Sequence, residues 1–312
     1  MKAAFMRFMI KDAGNVQLLY WAVKSAQELN VDSQYALWEY FISNLPADIK
    51  EKAGRRLNAP RSAQPHLSMA RELNLLELRG RWLVTAHGRA FLELWERDKH
   101  NPPKFFLLML LLNYDRSFLI PFFKRMLDSG KSPEKLTYKE AVPMAKDAWK
   151  ELWKNCWHEL SSIEPPIPRP EEISTHTCYH HAAARLRFVV GQEGLGLRKD
   201  QLLKLLENFS DYAFRELPDH FCFLLGHAIS GRMPEPVDME ELKERLKDAF
   251  LRLKGLAYAS ARATFYYVNE ILLPQKAVEW REFSSFLRSS KGISVQPSFS
   301  SDDFIFSIKG VI

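Results

Sequence analysis

The feature that most constrains this chain is its hydrophobic period. Apolar side chains recur at three- and four-residue spacing through most of its length, as in helices that bury one face. The period drops to two in only two short stretches. In the first, Leu78, Gly80, Trp82 and Val84 alternate with Arg79, Arg81 and Leu83. In the second, Ile293 and Val295, a turn through Ser300–Asp303, and Phe304, Phe306 and Ile308 read as a hairpin. Such a pattern predicts a mainly α fold with two small β elements.

Helices are expected over 16–30, with Asn15 as a cap, over 33–45, and over 62–76, where Leu67, Ala70, Leu73 and Leu76 form the apolar stripe. Thr85 reads as the cap of the next one, and Asn101-Pro102-Pro103 stops it. Two long apolar helices are expected over 104–127 and 139–160. Trp149, Trp153 and Trp157 in the second, at i, i+4 and i+8, read as a core stripe. The run Phe105–Leu112 reads as buried helix, too short to span a bilayer. Four prolines in residues 163–172 read as a linker. Further helices are expected over 176–192, 199–216, 218–230, 238–254 and 256–272, and from 275 onward.

The resulting organisation is an N-terminal domain over 1–103, an apolar helical connector over 104–162 and a Pro-rich linker over 163–174. A helical domain over 175–273 follows, then a helix plus hairpin over 275–312.

The hydrophobic content of 46% and charged content of 26% are those of a packed globular protein. Three widely spaced cysteines, Cys156, Cys178 and Cys222, argue against a disulfide framework and for a reducing compartment. The opening MKAAFMRFMIKDAG has no sustained apolar region of the signal-peptide kind. A cytoplasmic, membrane-free protein is the expectation.

The net charge of +6 is concentrated. Residues 55–89 hold seven arginines (Arg55, Arg56, Arg61, Arg71, Arg79, Arg81, Arg89) against two acids, Glu72 and Glu77, and no lysine. A planar guanidinium suits phosphate oxygens and base edges better than an ammonium point charge does. In the same region MARELNLLELRGRWLVTAHGRAFLEL (69–94) has a helix ending in Leu73-Asn74-Leu75-Leu76. A short alternating stretch follows, and then Leu83-Val84-Thr85-Ala86-His87-Gly88 opens another helix. This phrase resembles the winged helix-turn-helix superfamily over about 60 residues. The resemblance implies a recognition helix presenting Arg61, Ser62, Gln64, His66, Ser68 and, one turn on, Arg71. It places Arg79 and Arg81 in or beside a short wing, Arg89 on the following helix, and Arg55 and Arg56 just upstream.

The implied function is non-enzymatic binding of nucleic acid, with double-stranded DNA as partner, in transcription regulation or defence against foreign DNA. The protein would act as a homodimer or as a subunit of a larger complex. The alternative is an adaptor whose winged helices contact protein. The C-terminal helix and hairpin read as a second winged helix or as a cap. The acids Asp302 and Asp303 near the expected hairpin tip favour protein contact there over phosphate.

Other chemistries find less support. Each cysteine lies two residues from a histidine: Cys156 with His158, Cys178 with His176 and His180, Cys222 with His220. Residues i and i+2 of a helix point to different faces, so only THTCYHH, if non-helical, would clamp zinc. Pro218-Asp219 with Glu241-Leu242-Lys243 imitates a magnesium-nuclease pattern, but the triplet sits in a charged amphipathic stretch, not an apolar strand. Arg185 and Arg187 offer a second cationic face or, as the simpler reading, scattered charge at a helix end. No phosphate-binding glycine loop or nucleophile elbow is present, and no cofactor is expected.

Overall fold

The computed structural model describes residues 3–7, 14–29, 33–53, 57, 59–99, 101–131, 136–164, 167–255, 257–298 and 303–309. The elements begin with α1 (Val16–Glu28), α2 (Gln34–Asn44), α3 (Ala47–Ala53), a 3-10 turn (Pro60–Ala63) and α4 (Gln64–Glu72). Next come β1 (Leu76–Arg79), β2 (Arg81–Val84), α5 (Ala86–Arg97), α6 (Lys104–Asp128), α7 (Tyr138–Ser161), α8 (Thr175–Val189) and α9 (Lys199–Phe209). The chain continues through α10 (Phe221–Ser230), β3 (Glu235–Pro236), α11 (Met239–Leu253), β4 (Ala259–Ser260) and α12 (Ala261–Leu272). It closes with β5 (Lys276–Ala277), α13 (Trp280–Ser289), β6 (Ile293–Pro297) and β7 (Phe304–Ile308). The protein is mainly α.

Two compact units form. The first comprises Met1–Thr85 with Leu110–Glu216, the second Ala86–Met109 with Leu217–Ile312. The chain changes unit directly after β2, so these units do not follow the segments expected from sequence. In the first unit α1 packs on α2 and α4 and meets β2, and α7 lies along α8. In the second, α5 packs on α11 and α12. Its three-stranded sheet runs β4-β7-β6, antiparallel throughout, and β3 pairs with β5 in parallel.

Local sequence explains several helix starts. Asn15, Ser33, Ser174, Asp238 and Ser260 each accept a backbone N–H from the first turn of the helix that follows. At two boundaries that differ from expectation, strand pairing is the cause. Helix α12 starts at Ala261 because Ala259 and Ser260 pair with β7. Helix α13 starts at Trp280 because Lys276 and Ala277 pair with β3.

Two expectations need correction. The Pro-rich segment is packed where it is described: Ile167 and Ile173 are buried. The Pro168 carbonyl accepts the indole N–H of both Trp149 and Trp153 at 2.9 Å. The tryptophan stripe is core only at its first member. Trp149 is buried, but Trp157 is 54% exposed, because Cys156 leaves helical geometry (φ −128°, ψ 23°) and breaks the register of α7.

Helix α6, at 25 residues, matches the long helix expected over 104–127. By length and composition it is the one helix among the described residues able to cross a membrane, yet 89% of its apolar window is buried inside the protein. That burial fits the expected core helix.

Candidate nucleic-acid interface

Helix α4 ends in a Schellman cap. Asn74 takes a left-handed conformation (φ 56°). Its N–H donates to the Arg71 carbonyl at 2.9 Å, and the Leu75 N–H donates to the Ala70 carbonyl at 2.8 Å. The leucines on either side are wholly buried. The cap therefore explains the Leu-Asn-Leu-Leu phrase: one small polar residue takes the positive φ and the leucines anchor the turn. The Thr85 hydroxyl donates to the carbonyls of Asn74 (2.5 Å) and Leu75 (3.2 Å), tying the exit of the hairpin to this cap.

The phase of α4 sorts the expected residues. Ala63, His66, Leu67, Met69, Ala70 and Leu73 are buried. Arg61 is exposed, and Gln64, Ser68 and Arg71 are half-exposed. The last three fall at i, i+4 and i+7, one solvent-facing row. Ser62 is half-exposed and donates its hydroxyl to the Ala59 carbonyl. His66 does not belong to this face. It is 3% exposed and stacks on Phe41 with centroids 5.8 Å apart, a packing residue where a base reader was expected.

Strands β1 and β2 pair from Leu76↔Val84 to Arg79↔Arg81 and turn at Gly80 (φ 73°). Arg79 and Arg81 are exposed at this tip, and Leu78 beside them is 46% exposed. Arg79 Nε lies 2.9 Å from Glu77 Oε2, an open contact that solvent screens. The first unit thus brings together Gln64, Ser68 and Arg71 on one face of α4, with Arg61 in the 3-10 turn before it, and Arg79 with Arg81 at one hairpin tip. Arg89 lies in the second unit, on α5, where burial pulls its guanidinium below the usual arginine range. Arg55 and Arg56 lie outside the described residues.

A cleft of about 490 Å³ opens beside the first turn of α4, lined by Leu18, Leu57, Ser62, Pro65, His66 and Arg187 among others. Arg187 reaches it from the end of α8. No sequence signal connects these positions, which are more than 120 residues apart. Arg185, two residues earlier, does not share that surface: it is wholly buried. The reading of the two arginines as one face, or as scattered end-of-helix charge, therefore fails for Arg185.

In the second unit the exposed side of α13 carries Arg281, Glu282, Ser285 and Arg288. Asp303 is engaged internally. Its carboxylate accepts the Ser260 hydroxyl (2.6 Å) and the N–H groups of Arg262 (2.9 Å) and Phe304 (2.8 Å). Asp302 lies outside the described residues. The hairpin residues Phe304, Phe306 and Ile308 point into the core.

The Glu241-Leu242-Lys243 triplet of the nuclease-like pattern is helical, where that pattern needs a strand. Glu241 and Lys243 lie on α11, two positions apart. The Glu241 carboxylate is taken by Lys276 at 2.6 Å, which holds its pKa below the usual range, and Arg245 adds to this at 3.4 Å. Nor are the cysteines available as thiolates. Burial pushes Cys156 up to about 11, raises Cys178, and raises Cys222 well above the ordinary thiol value. The THTCYHH segment is helical from Thr175 onward. Compared with known proteins, no family model, curated protein or solved structure matches this chain.

Proposed function

We propose that the first unit binds double-stranded DNA as a winged helix, with α4 as the recognition helix and the β1–β2 hairpin as a short wing. The observation that carries the reading is the half-exposed row Gln64, Ser68 and Arg71 on α4, with exposed Arg61 in the 3-10 turn that leads into it. Each of these side chains bonds either base edges or phosphates, and a single helix fits the major groove. Arg79 and Arg81 add two exposed cations at the hairpin tip of the same unit. Regulation of transcription and defence against foreign DNA are the settings such a binder suits.

The α11–β4–α12–β5–α13–β6–β7 order in the second unit, with sheet order β4-β7-β6, supports reading it as a second winged helix. Its α13 face mixes Arg281 and Arg288 with Glu282, a pattern that suits a protein partner.

The test is a salt series on a labelled 30-base-pair duplex, comparing wild type with a variant carrying Arg61→Ala, Arg71→Ala, Arg79→Ala and Arg81→Ala. Each phosphate contact adds about 0.9 to the log–log salt slope. Wild type should bind with a slope steeper by roughly two to four units than the variant's. Absence of binding by wild type at low salt, or equal slopes, removes the reading and leaves the adaptor function.

A further inference from the structure

Helix α8 opens with two histidines one turn apart, His176 and His180. His176 is exposed and His180 half-exposed. Their rings stand edge to face, with centroids 4.3 Å apart and planes at 89°. The two Nε2 atoms face each other at 2.9 Å.

We infer that His176 and His180 form a chelate for a borderline divalent transition ion such as Zn²⁺, Ni²⁺ or Cu²⁺. The argument is metric. With metal–nitrogen bonds of about 2.0–2.1 Å, two ligands at a right angle have their nitrogens about 2.9 Å apart, and two at the tetrahedral angle about 3.3 Å apart. The observed separation meets the first value, and a small ring rotation reaches the second. Residues i and i+4 lie on one helix face, so the backbone already holds both rings where an ion needs them. Without metal, one ring donates its Nε2–H to the other. With metal, each ring keeps its proton on Nδ1 and offers the Nε2 lone pair.

The expected Cys–His arrangement is a different site. Cys178, at i+2 from His176, is wholly buried on another face of α8. Among the described residues no third histidine, cysteine or acid joins the pair at metal-holding distance. The remaining coordination positions therefore belong to water or to an exogenous ligand, which makes the site open and its affinity that of a two-imidazole chelate. Imidazole ligands favour Cu²⁺ over Ni²⁺ and Zn²⁺.

Isothermal titration of the untagged full chain with Zn²⁺, and separately with Cu²⁺, at pH 7.5 tests the site, with His176→Ala and His180→Ala as the comparisons. Neither histidine is buried, and circular dichroism verifies that both variants fold. Each variant should bind either ion at least tenfold more weakly than wild type. The double variant should be no weaker than the singles, since one imidazole alone does not chelate. Binding should also weaken in acid, because a histidine must be deprotonated to ligate a metal. No binding by wild type, or equal affinity in wild type and both variants, overturns the assignment. The site stands apart from the DNA reading, and the duplex experiment without metal does not bear on it.

Discussion

Arg185 and Asp115 meet as a two-pronged ion pair with neither side chain exposed. Nη2 lies 2.5 Å from Oδ1 and Nε 2.7 Å from Oδ2. The remaining donors and acceptors are also used. Arg185 donates to the carbonyls of His181 and Met6, and Asp115 Oδ1 accepts the Met6 N–H. The guanidinium lies over the Phe118 ring at 4.2 Å. Arg185 Nη1 sits 2.9 Å from His181 Nδ1. A guanidinium only donates, so that nitrogen carries no proton, in line with burial holding the His181 pKa well below the usual value. The N-terminal segment around Met6 is thereby bound to α6 and α8.

Removing one partner leaves a buried charge uncompensated. Asp115→Ala should cost about 3–5 kcal/mol in urea unfolding. The double variant Asp115→Leu with Arg185→Met should be at least as stable as either single change, because it removes both charges. A double variant less stable than both singles would show that the pair contributes net stability.

The cap at Asn74 makes a second prediction. Asn74→Val forces a β-branched residue into left-handed geometry and should cost about 1–2 kcal/mol more than Asn74→Gly. Both variants lose the 2.9 Å hydrogen bond from Asn74 Nδ2 to the Tyr114 hydroxyl, so that loss cancels in the comparison. Thermal midpoints decide it, and glycine as costly as valine would refute the argument.

Gly194 packs so closely on the end of α8 that a Cβ there would lie 2.3 Å from the carbonyl oxygens of both Arg187 and Phe188. Those are backbone atoms and have little room to yield. Gly194→Ala should destabilise the first unit by about 1–3 kcal/mol. Gly196→Ala meets no neighbouring atom but has φ 60°, so its cost is backbone strain alone. Pulse proteolysis of the two variants separates packing from strain.

Glu270 gives a pH dependence. Its carboxylate is partly buried and accepts the Phe106 N–H at 2.5 Å, and loss of hydration raises its pKa from 4.5 to about 8. The folded state therefore holds this proton more tightly than the unfolded state does. Its contribution to stability is full below pH 4.5 and is lost as pH rises through about 8. Glu270→Gln removes the titration. The stability difference, variant minus wild type, should climb by about 1.4 kcal/mol per pH unit between those limits. A difference independent of pH would mean that the folded and unfolded pKa values coincide.

Much of this architecture is legible in the sequence because it is local. Helical period, capping residues at Asn15, Ser33 and Ser174, and the period change at Leu76–Val84 each depend on neighbours a few residues away. The solvent-facing row of α4 follows from the same period, so Gln64, Ser68 and Arg71 were identifiable before any packing was known. Tertiary structure decided what depends on distant partners. His66 turned inward because Phe41 offers its ring. Arg185 left the surface because Asp115 waits in the core. Asp303 ceased to be a loop acid because Ser260 and Arg262 supply its hydrogen bonds. A polar side chain sits inside only when a partner far along the chain replaces water, and local sequence carries no record of which partner that is.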